Sequence, residues 1–139
     1  MAKTLTDAIK DIQSKARALK GVRSAPDFPP GGSPRGIFAV AWARDTLAHR
    51  ETKTDTWLRA TIVCMVLKPF KSMDDDVEAM LGYAELFSTA VVEDLDLGGT
   101  VDAVDPENTG IRGRFDVFSY NDVPHIGWRF EVDIEIYDI

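Results

Sequence analysis

From Ile126 to the carboxyl end the chain alternates strictly. Ile126, Trp128, Phe130, Val132, Ile134 and Ile136 point one way, and Gly127, Arg129, Glu131, Asp133, Glu135 and Tyr137 the other. A period of two over that length predicts a half-buried strand. Ile111 to Tyr120 predicts a partner strand, and Asn121-Asp122-Val123-Pro124 a four-residue loop of turn-forming types, so the two make a long C-terminal hairpin. If Tyr120 faces His125, Asp116 lies opposite Arg129, Arg114 opposite Glu131 and Arg112 opposite Asp133, while Val117 meets Trp128 and Phe115 meets Phe130. Each opposed pair contributes only about 0.2–1 kcal/mol, so the charges select a register more than they stabilise a fold. A one-residue slip would turn the aromatic face into water.

Upstream the period changes. Leu5, Ala8, Ile9, Ile12, Ala16 and Leu19 fall on one helical stripe, predicting a helix from about Leu5 to Lys20 with Thr4 as its cap and Gly21 as its stop. Two strands follow, Ile37 to Arg44 and Trp57 to Lys68, the second rich in β-branched residues. Between them Asp45 to Thr56 is a polar stretch without Gly or Pro, expected as a hairpin loop that projects from the body. A second helix is predicted from a Ser72 cap to about Asp94, with Asp74, Asp75 and Asp76 in its first turn, where the helix dipole favours negative charge. Its buried stripe is Met73, Val77, Met80, Leu81, Ala84, Phe87 and Val91. The expected fold class is α+β, with two helices packed on a mostly antiparallel β-sheet. The Pro- and Gly-rich stretch from Ser24 to Gly36 reads as an arm of this single domain, 1–139, because the residues before it are too few for an independent core.

Composition narrows the function. A chain of 139 residues with 45% hydrophobic content suits one domain with a core, and a net charge of −7 argues against a dedicated nucleic-acid binder. The single Cys64 cannot form an internal disulfide, and the longest apolar run, Thr61 to Leu67, is too short to span a membrane. A soluble cytoplasmic protein is therefore expected. Candidate chemistry is sparse. Cys64 stands within an apolar strand, where a thiol is ordinarily inert packing, and the separation of His49 from His125 disfavours a metal site. Three consecutive Asp on a helix diverge by about 100° each and cannot converge on one ion. Gly98-Gly99-Thr100 follows a helix and precedes a strand, the reverse of a phosphate loop. No catalytic residue, cofactor or metal site is expected.

The order of these elements, with a second helix closing in Asp94-Leu95-Asp96-Leu97-Gly98-Gly99-Thr100-Val101 and a terminal hairpin containing Gly127-Trp128, resembles the tail terminator, or tail completion, proteins of long-tailed bacteriophages. The likeness spans nearly the whole chain, and its motifs are short. What the resemblance implies is a structural virion protein, not an enzyme. It would be a ring homo-oligomer, usually a hexamer, that caps the tail tube, stops its polymerisation and joins the tail to the head connector. The implied partners are other copies of the chain, the tail tube protein and the connector protein; DNA passes through the ring without specific binding, and no membrane is involved. Assembly in the bacterial host cytoplasm and a final place in the virion tail follow from the same likeness. A head-tail connector or stopper is the alternative within the particle, and a small α+β enzyme or ligand-binding module the alternative outside it. Two interface sites are expected. The first is the loop Asp45 to Thr56, with His49, Arg50, Glu51 and Lys53. The second is the hairpin face of Arg112, Arg114, Asp116, Arg129, Glu131 and Asp133, for which pairing within the hairpin is favoured over a contact between subunits.

Overall fold

In the computed structural model, residues 3–23, 36–50, 56–107 and 110–137 are described. The fold is α+β, as the sequence predicts. Helix α1 (Leu5–Arg17) is followed by strands β1 (Phe38–Arg50) and β2 (Thr56–Pro69), helices α2 (Met73–Leu81) and α3 (Tyr83–Val92), the short β3 (Ala103–Val104), and the hairpin β4 (Arg112–Tyr120) and β5 (Val123–Tyr137). All pairings are antiparallel, in the order β1-β2-β5, and β5 carries β4 along one part of its far edge and β3 along the other.

The even-numbered residues of β5 face the helices. Phe130, Val132, Ile134 and Ile136 join Ile62, Cys64 and Val66 of β2 and Ile12, Met80, Phe87 and Val91 of the helices in one core, and Phe87 stacks on Phe130 at 4.4 Å between centroids. Thr4 caps α1 by accepting from the Asp7 N–H at 3.2 Å, and Tyr83 Oη donates to the Lys20 carbonyl at 2.6 Å, tying the end of α1 to α3.

The opposite face is concave. The rings of Phe38 on β1 and Tyr120 on β4 lie 5.3 Å apart, although β2 and β5 run between those strands. In a flat sheet the same strands would be separated by about 14 Å, three interstrand spacings. The sheet therefore curls until side chains of its two edges meet at one end, where Phe38, Val40, Val63, Met65 and Leu67 form a second apolar cluster with Trp42, Phe118 and Tyr120. This double coverage explains why β2 is buried without a break from Ala60 to Leu67. Gly127 takes a φ of 156°, which would turn a Cβ into the paired strand, 2.0 Å from the Val66 carbonyl oxygen.

Several expectations require correction. The C-terminal turn has two residues, not four: Asn121 and Asp122 take φ of 50° and 62°, the type I′ conformation, and Tyr120 pairs with Val123. The register therefore differs by two residues from the expected one, so that Arg112 faces Glu131, Arg114 faces Arg129, Asp116 faces Gly127, Phe115 faces Trp128 and Val117 faces Ile126. The predicted loop from Asp45 to Thr56 is in fact strand through Arg50 and again from Thr56, with a bulge between Ala43 and Asp45; residues 51–55 lie outside the described residues. The second helix is interrupted at Gly82, where the missing side chain makes helix continuation costly, and the Trp128 indole N–H satisfies the Met80 carbonyl beside the break at 2.8 Å. Met73 and Leu81, expected in the buried stripe, are exposed; the buried positions Asp76, Met80, Tyr83, Phe87 and Val91 follow one helical spacing on which Tyr83 takes the place expected for Leu81. The arm 24–36 lies outside the described residues except for Gly36.

The start of α2 also differs in detail. The Ser72 side chain makes no capping bond; instead the buried Asp76 carboxylate reaches back to accept the N–H groups of Lys71 at 2.7 Å and Ser72 at 2.9 Å, and pairs with Lys68. Burial alone would push the Asp76 carboxyl up, but Lys68 and the two N–H donors outweigh it and hold the group down at about 2.

Two consequences are measurable. Gly127→Ala should destabilise the fold by about 3 kcal/mol or more in urea unfolding, because the obstacle is a backbone oxygen in the middle of the sheet. Because the folded-state value of Asp76 is depressed, its stabilisation is fully present above the unfolded carboxylate range and is lost as pH falls from about 3.8 towards about 2. Asp76→Asn should therefore lower stability near neutral pH by about 2 kcal/mol and flatten the acid limb of a pH–stability profile.

Candidate functional site

The odd-numbered residues of β5 point into the concave face, away from the helices. At the end where the edges stay apart, this face carries charge. Arg129, Glu131, Asp133 and Glu135 of β5 lie beside Arg112, Arg114 and Asp116 of β4, Arg59 and Thr61 of β2, and Arg44 and Asp45 of β1. Ion pairs cross the strands: Arg112 bonds Glu131 at 3.2 Å and Asp133 at 3.3 Å, and Arg44 donates to Glu131 at 2.7 Å and to Asp45 at 2.9 Å. Thr61 Oγ1 donates to Asp133 at 2.7 Å, and Arg59 to Glu135 at 2.7 Å and Glu107 at 2.5 Å. Glu131 is the hub, receiving guanidiniums from β1 on one side and β4 on the other. Hydrogen bonds donated to these carboxylates hold the guanidiniums above their ordinary value, Asp133 acting chiefly on Arg112, Asp45 on Arg44 and Glu135 on Arg59.

One corner of this lattice is not balanced. Arg114 and Arg129 are directly opposed across β4 and β5, an arrangement that costs stability between like charges. Arg114 turns to Asp116 on its own strand at 2.8 Å, while Arg129 lies 3.8 Å from Glu131, beyond hydrogen-bond reach. The Val117 N–H and the Arg114 guanidinium together hold the Asp116 carboxyl below its ordinary range. Arg112, Arg114, Arg129, Glu131 and Gly113 line an open depression of about 390 Å³. A second cleft, of about 250 Å³, lies at the β1 side between Asp45, Leu47, Arg59, Thr61, Glu107 and Asp133.

The structure thus gathers the six hairpin residues expected as a site on one face; Arg112 still reaches Asp133, but diagonally, while Arg114 and Arg129 lose the partners expected for them. The loop residues lie apart from them. His49 stacks on Trp57 at 4.7 Å, with the Arg59 guanidinium 4.9 Å from the same ring, and Arg50 ends β1; Glu51 and Lys53 lie outside the described residues. Sequence reasoning missed Arg44, Arg59, Thr61 and Glu135. The available signal was the polar Arg59 and Thr61 at alternate positions of an otherwise apolar strand.

Groups with other chemistry sit elsewhere. Burial pushes the Cys64 thiol up to about 12. His125 is fully buried against Phe38 and Tyr120, with Nδ1 2.8 Å from the Val123 carbonyl oxygen. The arrangement on the open face can exchange ion pairs with a charged surface. No protein-family model matches the sequence, and no curated protein matches it.

The hub role of Glu131 predicts a graded, screenable effect. Glu131→Gln should cost about 1 kcal/mol at low salt, and the loss in Tm should shrink in about 1 M salt, because the partners Arg44 and Arg112 are substantially exposed.

Proposed function

We propose that this protein is a structural assembly subunit of the tail-terminator type. It would form a ring that caps a phage tail tube, halts its growth and presents a surface to the head connector. The observation that carries this reading is β1, a thirteen-residue strand paired only with β2 among the described elements, whose last seven residues, Arg44 to Arg50, are all exposed. Leu47 stands 61% exposed in the middle of that stretch. A long edge strand with an outward Leu is a site for association, since unpaired backbone groups and exposed apolar surface both favour a partner. The order of elements supports the same reading, and we assign the β1 end to contact with the tube. A connector or stopper would use the same features, and the partner distinguishes the two.

The decisive measurement combines mass and capping. Sedimentation across a concentration series should reveal a closed oligomer, expected at six copies of the 15.4 kDa chain, and added protein should shorten tubes grown from the tube subunit of the same particle. Binding to the portal-side assembly without effect on tube length would replace the terminator by a stopper. A monomer at every concentration that also leaves tube growth unchanged would remove the ring reading.

A further inference from the structure

Charge is distributed unevenly along the chain. From Ser72 to Ile111 there are eleven acidic residues and no Lys, Arg or His, so all sixteen Lys and Arg lie outside that segment. The segment includes α2 and α3. Asp74, Asp75, Glu78, Glu85 and Glu93 are exposed there, and none has a charged partner among the described residues. Exposed apolar side chains stand among them, Leu81, Leu86 and Val92. These helices pack on one side of the sheet, against Phe130 and Trp128.

The unbalanced arginine corner lies on the other side. Arg112, Arg114 and Arg129 project from the concave face, around a depression that holds one carboxylate, Glu131. The opposed Arg114–Arg129 pair is a local cost only partly offset within the subunit, by Asp116 beside Arg114 at 2.8 Å and by Glu131, already shared with Arg44 and Arg112, 3.8 Å from Arg129. The acidic helical face and the arginine corner point in opposite directions, so they cannot meet within one copy.

We propose that the arginine corner of one copy receives the acidic α2–α3 face of a second copy, forming the head-to-tail contact of the ring. This rests on the ring reading above. A heterologous contact needs two different, complementary patches on each subunit, and it closes into a ring when the rotation between copies permits. Arg114 and Arg129 would each gain a further carboxylate, relieving what remains of their mutual repulsion, while Leu81 and Leu86 supply apolar contact beside them. Opposite charge also makes the contact selective, because two arginine corners or two acidic faces repel.

The test is a charge swap on the full chain, read by sedimentation at low salt. Arg114→Glu with Arg129→Glu should weaken self-association at least about tenfold, and so should Glu78→Lys with Glu85→Lys. An equimolar mixture of the two variants should recover association, since each supplies the patch that complements the other. Circular dichroism and Tm verify folding, and Arg114→Thr, which removes the opposed charge with a strand-favouring residue, should weaken assembly while leaving Tm unchanged or higher. If wild type assembles and both charge-reversed variants assemble equally well, the contact is overturned and the ring reading stands. Weakened variants whose mixture does not recover also overturn the pairing of these two patches. A wild-type protein that neither associates nor affects tube growth overturns both.

Discussion

Two residues decide what the charged face presents. Asn121 and Asp122 both take a left-handed conformation, and a two-residue turn of that kind leaves Val123 no choice but to pair with Tyr120. From there every partner on β4 is counted off along β5. A four-residue turn would have given each arginine of β4 a carboxylate directly opposite. The turn that forms instead aligns Phe115 with Trp128, whose rings meet at 5.0 Å, and sets Arg114 against Arg129. Backbone geometry at the turn and aromatic packing outweigh cross-strand charge pairs that are each worth about 1 kcal/mol or less.

The curl of the sheet then divides the concave face into two environments. Where β1 and β4 come together, Phe38, Tyr120 and His125 close an apolar interior; where they diverge, water reaches the face and ion pairs replace packing. Glu131 lies in that second region and links the separated edges through Arg44 and Arg112. One strand thus contributes to a helix-covered core, a closed apolar interior and a solvated ion-pair lattice. Its strict alternation allows it to do so.

Much of this was legible in the residues. The alternation of β5, the helical stripe of α1 and the buried run of β2 each follow from a period that only one secondary structure satisfies. What could not be read depended on conformations that residue types permit but do not require. Asn and Asp tolerate positive φ, yet Val123-Pro124 also suits a turn, and residue types alone leave both loop lengths open. Polar residues from Asp45 to Arg50 resemble loop, but a strand at a solvated edge has no apolar face to display. The Gly82 break was visible as a residue and not as an event, because an isolated Gly within a helical pattern is often tolerated. The six hairpin charges were found as a group; their pairings required the register.

Cys64 gives the molecule an internal clock. It sits on β2 between β1 and β5, opposite Ala41 and Phe130, and is fully buried. Its side chain faces the helices, in the core with Met80 and Phe87, so a modifying reagent reaches that sulfur only when the helix layer lifts from the sheet, and the rate of alkylation counts those openings and ignores fraying at strand ends. With one thiol in the chain, the signal has a single source. The residue with no part in any surface contact therefore measures how firmly the helices are held on the sheet.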